Sequence, residues 1–395
     1  MSHLSGWNAG HLMENNRTKI LMLSAGAISG SFQIMMDILN RIDTDKFLVY
    51  AAYKPEFAEW GNDEIDAILN AKAKLVALRG KRLFGITGFI DLWKTLQREK
   101  IEILHSWDVL GVPGRIIAKL SGVKIVEALL NPPPVVPYDI SWKHYMISKW
   151  TSILVHGFVA CSNGVLQQYR KQQPLFLRGK KLSVVYPCVD TPNKQLSQAE
   201  TSHLRELYAL RQNDTVLTNI GYFNIQKAQS DLLNAFKSVT SKAPHTKLFL
   251  VGWGKLENHL RTLTKELGLL DKVIFTGKLR RSQVFDILSI TDLFVLSSHW
   301  EGFGIVLTEA MALEKPVIST ETDGSREIVE HGKTGILVPT GSPEILAEAI
   351  LNLISKPALM KKMGRHGLKR VKETFDCKRF AMAYESFYLA VLQDN

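Results

Sequence analysis

Short apolar runs recur along the chain, among them KILMLSA (19–25), FLVYAAY (47–53), IEILHSW (101–107), VKIVEALL (123–130), TVLTNIG (215–221), TKLFLVG (246–252), KVIFTG (272–277) and DLFVLSS (292–298). Their positions do not alternate between apolar and polar, so both faces of each run are covered, as in the strands of a parallel sheet. Between them lie longer stretches with apolar residues every third or fourth position, such as GFIDLWKTLQREK (88–100) and GVPGRIIAKLSG (111–122), which read as helices. Strand and helix alternating through short links predict an α/β chain with doubly wound parallel sheets, whose ligands bind beyond the carboxyl ends of the strands.

The alternation continues over 395 residues, too long for one core, and two domains of roughly 190 residues are expected. VVYPCVDTP (184–192) interrupts the pattern near the middle and is the expected hinge. A hydrophobic content of 46% with 22% charged residues excludes a disordered or fibrous chain. The net charge of +11 is shared unequally, with an excess of +7 in residues 1–190 and +4 in the rest. Basic surface suits phosphorylated substrates or anionic lipid, and with no nucleic-acid-binding motif in the chain no nucleic acid is expected as a partner. Cys161, Cys188 and Cys377 lie far apart with no C-x-x-C pair, which predicts neither a zinc site nor a disulfide framework and fits a reducing compartment. The leader has no apolar core and no run reaches the roughly 20 residues of a spanning helix. A cytoplasmic protein is expected, or one peripheral on the cytoplasmic face of a membrane.

Candidate chemistry concentrates in residues 297–339. There DLFVLSS reads as a buried strand, and Gly302-Phe303-Gly304 as a loop opening a helix from about Ile305 to Leu313. Backbone N–H groups at Phe303, Gly304 and Ile305 then point outward at a helix N-terminus, which makes an anion site. Glu301 sits at its mouth and Glu309 within the helix; carboxylates accept but do not donate, so they suit sugar or ribose hydroxyls, the other reading of the pair alone being two solvated surface glutamates flanking an ordinary strand-turn-helix. Elsewhere, Gly30 and Ser31 end a flexible loop after the first strand, spaced too loosely for a dinucleotide fingerprint. Asp43-Thr44-Asp45 has the form of a metal-binding D-x-D but falls in a turn and reads as solvated. The helix at 140–154 places Trp142, Met146, Trp150, Ile153 and Leu154 on one face, read as packing on the sheet, with an interfacial membrane helix as the other reading. Arg280 and Arg281 are candidates for phosphate contact or plain solvation.

EGFGIVLTEAMA (301–312), followed by KPVIST and DGSREIV…GKTGILVP, resembles the E-x7-E signature of retaining nucleotide-sugar glycosyltransferases of the GT-B fold, in the large family four. The resemblance implies two Rossmann-like domains facing across a cleft: residues 1–187 on the acceptor side, 188–376 on the donor side, and a terminal helix, 377–395, crossing back. It implies transfer of a hexose from a nucleotide-diphosphate sugar to a hydroxyl of a carbohydrate or lipid-linked acceptor, such as a surface-polysaccharide intermediate. Catalysis would be retaining, with no metal and no cofactor beyond the donor. Catalytic roles would fall to Glu301, Lys227 and His105, the last at the family's V-H-x-H position with Trp107 for the second histidine, though a lone histidine at the end of a strand also reads as structural. Donor contacts would come from Gly30, Ser31, Gly221, Lys227, Gly254, the backbone at Leu279, Phe303, Gly304, Ile305 and Glu309. Departures are Tyr222 for the family's arginine, Ala228 for a glycine, and Asn131 with three prolines where an acceptor-side histidine is usual. A GT-B nucleotide-sugar 2-epimerase and a non-catalytic partner of the same fold are the alternatives.

Overall fold

The computed structural model describes residues 17–23, 30–53, 68, 70, 71, 73–78, 86–107, 112–133, 142–190 and 196–394. The chain forms two compact units, one of residues 1–187 with 377–395 and one of residues 188–376.

In the first unit β1 (Thr18–Leu23) lies inside a seven-stranded parallel sheet. On one side of it are β2 (Phe47–Tyr53) and β3 (Lys74–Ala77). On the other are β4 (Ile103–Trp107), β5 (Lys124–Leu129), β6 (Gly157–Ala160) and β7 (Lys181–Val184). Every pairing is parallel, and all five residues of β4 are buried, the polar His105 and Ser106 included. Helices α1 (Gly30–Leu39), α2 (Ile86–Arg98), α3 (Val112–Leu120) and α4 (Trp142–Thr151) connect the strands, with α3 packed between α2 and α4. The terminal helix Cys377–Leu392 packs with α1 and reaches β5 and β7. Gly157 makes room for it, since a Cβ there would fall 2.7 Å from the Phe387 ring.

The turn holding Asp43 is structural. Its carboxylate pairs with Lys46 at 2.7 Å, Asp45 N–H donates to Asp43 Oδ1 at 3.0 Å, and Asp43 N–H donates to Glu385 of the terminal helix at 2.8 Å. Cys188 and Cys377 are disulfide-bonded and Cys161 is free and buried, which corrects the expectation of three unpaired thiols. Separation along a sequence does not report separation in space, and that expectation rested on the former.

The second unit holds a six-stranded parallel sheet in the order β10-β9-β8-β11-β12-β13. These strands are β8 (Thr215–Ile220), β9 (Thr246–Val251), β10 (Val273–Gly277), β11 (Leu293–Leu296), β12 (Val317–Thr320) and β13 (Gly335–Val338). Leu217, Leu248, Leu250, Leu293, Val295 and Ile318 pack against Leu232, Phe236 and Val239 of α5 (Gln229–Lys242) in one core. Also relevant are α6 (Arg281–Ser289) after β10 and α7 (Ile305–Ala312) after β11. The chain builds outward from β8 to β10, then returns to lay β11 on the other side of β8. Two loops therefore diverge from the carboxyl ends of β8 and β11, leaving the crevice in which ligands of such sheets bind.

Candidate functional site

The loop after β8 runs through Gly221 to a single turn of 3-10 helix, Ile225–Lys227, whose N-cap Asn224 accepts from Lys227 N–H at 3.2 Å. The loop after β11 begins at Ser297. Three hydrogen bonds tie the two loops together: Ser297 Oγ donates to the Lys227 carbonyl at 2.9 Å, His299 N–H to the Gln226 carbonyl at 2.8 Å, and Gln226 Nε2 to the Trp300 carbonyl at 3.1 Å. The Lys227 ammonium is thereby set against Glu301 Oε1 in an ion pair. Ser298 Oγ donates to the same oxygen at 2.6 Å, and the Ser298 carbonyl accepts from Thr320 at 2.5 Å. A buried carboxylate with a lysine and a hydroxyl on one oxygen is fixed in direction, while the Lys227 side chain stays 19% exposed.

Gly304, at φ +99°, turns the chain from this loop into α7. A side chain would strain that backbone, so glycine is required there. N–H groups in the first turn of a helix have no preceding carbonyl within it, and the helix dipole favours an anion beside them. The Phe303 side chain does not face a ligand; it is 4% exposed and packs edge-on to Phe375 at 5.4 Å. Glu309 lies just over one turn into α7, buried, with Arg281 of α6 at 3.5 Å. On the other flank, Phe223 N–H donates to the Trp253 carbonyl at 2.7 Å and Leu256 N–H to the Phe223 carbonyl at 3.0 Å. This brings Gly254, at φ +155°, so close that a Cβ there would meet the Phe223 oxygen at 2.5 Å. Gly221 lies against the Lys227 stem, and Leu279 is half-buried just past Gly277 at the end of β10.

The structure thus places Gly221, Lys227, Gly254, Leu279, Glu301, Phe303 and Gly304 on the segments that follow the carboxyl ends of four strands of one sheet, with Ile305 and Glu309 in the helix that follows the last of them. Ser298 and the Arg281–Glu309 pair were not legible beforehand. Nothing in their spacing marks them: Ser298 reaches Glu301 within one loop and its carbonyl is held by Thr320 of β12, while Arg281 and Glu309 lie on two different helices. Tyr222, at the arginine position of the resemblance, is 39% exposed with its ring edge-on to Trp253 at 5.7 Å, and Lys278 Nζ lies 5.5 Å over the same indole.

In the first unit, Gly30 is the exposed first residue of α1 and Ser31 is buried; the loop before them, 24–29, lies outside the described residues. His105 is corrected from an acceptor-side catalyst to a core residue. It is fully buried, stacked on Trp107 at 4.1 Å and joined through Nδ1 to the Tyr388 hydroxyl at 2.7 Å. Burial alone holds its imidazole down to about 3, so it stays neutral. The helix at 140–154 is corrected as well: Trp150 is 68% and Ile153 61% exposed, not packed on the sheet. Leu120 of α3 is 81% exposed, and Trp93 of α2 also stands out; α3 packs against both α2 and α4. Lys180 donates to the Ile153 carbonyl at 2.8 Å, and burial, then Lys119, lowers its ammonium below the usual lysine range. His156 is held down to about 4 by burial and then by Lys124, Lys119 and Lys180, which marks a dense basic cluster at the edge of this apolar face.

Residues 201–370 match the family model of the glycosyl transferases group 1, which falls within the second unit. Among curated proteins, N-acetyl-alpha-D-glucosaminyl L-malate synthase of Bacillus anthracis is 31% identical over 216 residues, covering 55% of this chain and 55% of that protein. The capsular polysaccharide biosynthesis glycosyltransferase CapM of Staphylococcus aureus is 32% identical over 202 residues, covering 50% and 52%. The chain spans about half the length of the curated relatives it matches. Among solved structures, HepE of Anabaena in complex with UDP-glucose superposes with a TM-score of 0.81 at 20% identity, covering 94% of this chain and 100% of that one. The likeness extends over both units, and the fold is GT-B.

Proposed function

We propose that this chain is a group 1 glycosyltransferase, moving a hexose from a nucleotide-diphosphate sugar to a hydroxyl acceptor with retention of configuration and without a metal ion. One observation carries the reading. Lys227 and Glu301, 74 residues apart, meet where the loops after β8 and β11 diverge, at the threshold of the α7 N-terminus. In the free site the ammonium and the carboxylate satisfy each other; a donor offers phosphate to the first and sugar hydroxyls to the second. The α7 amides share the diphosphate, Glu309 takes the ribose hydroxyls, and Gly221, Gly254 and the backbone at Leu279 leave room for the nucleotide. Gly30 and Ser31 remain the first unit's candidates for phosphate contact.

The bond from the sugar's anomeric carbon to the phosphate oxygen breaks, with its electron pair going to the leaving diphosphate. The acceptor oxygen bonds to the same carbon from the same face, and its proton passes to the departing phosphate. Charge growing on the leaving oxygen is what Lys227 and the α7 N-terminus stabilise. The epimerase alternative has no observation in its favour, and incubating donor without acceptor separates the two, since only an epimerase interconverts sugars.

For the acceptor we propose a lipid-linked or surface-polysaccharide intermediate, met in the cytoplasm at an anionic membrane. The exposed face of α2, α3 and α4 with its basic border supports this, as does the relative named for capsular polysaccharide. Among the described residues no helix is long and apolar enough to cross a membrane, so the contact proposed is with its surface. Uridine is the first base to test, because the Anabaena structure holds UDP-glucose. A thermal-shift panel of uridine, guanosine and adenosine diphosphate sugars checks the donor site. Saturating donor should raise the midpoint by an amount equivalent to about 3 kcal/mol at a hundredfold excess over Kd. A panel with no shift for any base defeats the proposal.

A further inference from the structure

Lys227, Glu301 and Glu309 together carry one negative charge, and a diphosphate brings about two more. The α7 N-terminus offers only about half a positive charge. A second cation is needed, and Tyr222, at the arginine position of the resemblance, has none to give; its ring is committed to Trp253. Arg281 of α6 already sets a cation beside one of the two glutamates, with its guanidinium 3.5 Å from Glu309 Oε1. We propose that Arg281 is the second diphosphate ligand of this site: it holds Glu309 while the site is free and turns onto the donor's phosphates once ribose hydroxyls occupy that carboxylate. The proposal rests on the glycosyltransferase reading above and adds to it the residue that replaces the cation absent at Tyr222.

Three features favour this residue. The 3.5 Å separation from Glu309 Oε1 is longer than the roughly 2.7 to 2.9 Å of a tight charged hydrogen bond. Arg281 is 34% exposed, with its guanidinium 5.7 Å over the Phe285 ring, whereas Glu309 is 9% exposed and fixed on α7, so a rearrangement would move the arginine. The guanidinium's five donors can also serve a carboxylate and a phosphate together. Its neighbours are worse placed. Lys278 lies over the Trp253 indole, and Arg280 is exposed at the cap of α6, where its backbone N–H donates to Gln283 at 3.0 Å. The contact chain from Tyr222 through Trp253 to Lys278 shows that the loop leading to Arg281 already reaches the one lacking the cation.

Calorimetric titration with uridine diphosphate and with uridine tests it, using the wild type, Arg281→Ala, Arg281→Lys and the double variant Arg281→Ala/Tyr222→Arg. Arg281→Ala should weaken the diphosphate about tenfold or more while moving uridine less than twofold, because only the diphosphate offers the contact. Arg281→Lys should fall between, and the double variant should regain most of the loss. Equal weakening of both ligands would show an effect through Glu309 or through local structure, and overturns the proposal; so does an unchanged diphosphate constant. A wild type that binds no uridine, guanosine or adenosine diphosphate fails earlier and takes the glycosyltransferase reading with it. Unfolding midpoints of the variants, measured without ligand, show whether a loss reflects folding.

Discussion

Lys227 and Glu309 belong to one proposed site but answer different demands, and kinetics separates them. Lys227 faces charge that grows as the leaving group departs, so Lys227→Ala should lower kcat by about a hundredfold to a thousandfold, equivalent to roughly 3 to 4 kcal/mol. Glu309 is proposed to hold a ribose that does not change during the reaction, so Glu309→Ala should raise the donor KM with little change in kcat. Steady-state rates over a donor titration decide this, and equal effects of both substitutions on kcat would refute the division of roles. Only the resemblance singles out Lys227, whereas the place of Glu309 in a helix could be read from sequence, because an acid in an apolar helix behind a Gly-bearing loop is a local pattern. Lys227 lying on Glu301 could not, since a contact over 74 residues depends on β8 and β11 becoming neighbours. His105 misled for a related reason: its position at the end of an apolar strand was legible, but not the Tyr388 hydroxyl that closes over it from the far end of the chain.

At the scale of elements, the terminal helix makes His105 a structural residue. Phe380, Tyr384, Phe387 and Tyr388 are buried on it, with Tyr384 and Tyr388 both within 6 Å of the imidazole by ring centre. Burial pushes both phenols well above the usual tyrosine range, so neither can supply a negative charge to a protonated imidazole. The folded state therefore holds His105 at about 3 against 6.5 for the free side chain. The unfolded chain binds the extra proton, so stability is full above about 6.5 and falls as the pH drops toward 3. Between pH 7 and pH 5 this one group should contribute a loss of about 2 kcal/mol. Urea unfolding at both pH values, followed by a probe in the first unit, should show a smaller loss for His105→Gln than for the wild type. An identical pH dependence would mean that the imidazole is not held neutral. The strands were legible because buried parallel strands have the plainest apolar signature, with boundaries differing by only a residue or two, as at β1. Faces of helices were less so: α4 has an apolar stripe suited to packing on a sheet, yet Trp150 is turned out to solvent.

At the scale of the molecule, part of the positive charge of the first 190 residues gathers near the exposed Ile153, where Lys180 donates to the Ile153 carbonyl and Lys119, Lys124 and Lys180 act on His156. Trp93, Leu120, Trp150 and Ile153 come from α2, α3, α4 and the turn after it, and no sequence window contains them together. Two indoles among aliphatic side chains, bordered by Lys119, Lys149 and Lys180, suit the interface of a bilayer, where the rings enter the headgroup layer and the ammonium groups meet lipid phosphates. Repulsion from Lys119 helps lower the Lys180 ammonium, a cost that anionic lipid would relieve by supplying countercharge. The protein should therefore sediment with vesicles rich in phosphatidylglycerol and much less with phosphatidylcholine vesicles, with binding that weakens as salt is raised. Removing the apolar contribution through Leu120→Ser and Trp150→Ser should weaken sedimentation about tenfold or more. The donor-induced thermal shift should stay intact, because these residues belong to the other unit from Lys227 and Glu309. Equal binding to both lipids, or a double variant that sediments like the wild type, would exclude the anionic surface as the occupant. A wild type that is dimeric by light scattering and becomes monomeric in the variant would assign this face to a second copy of the chain instead.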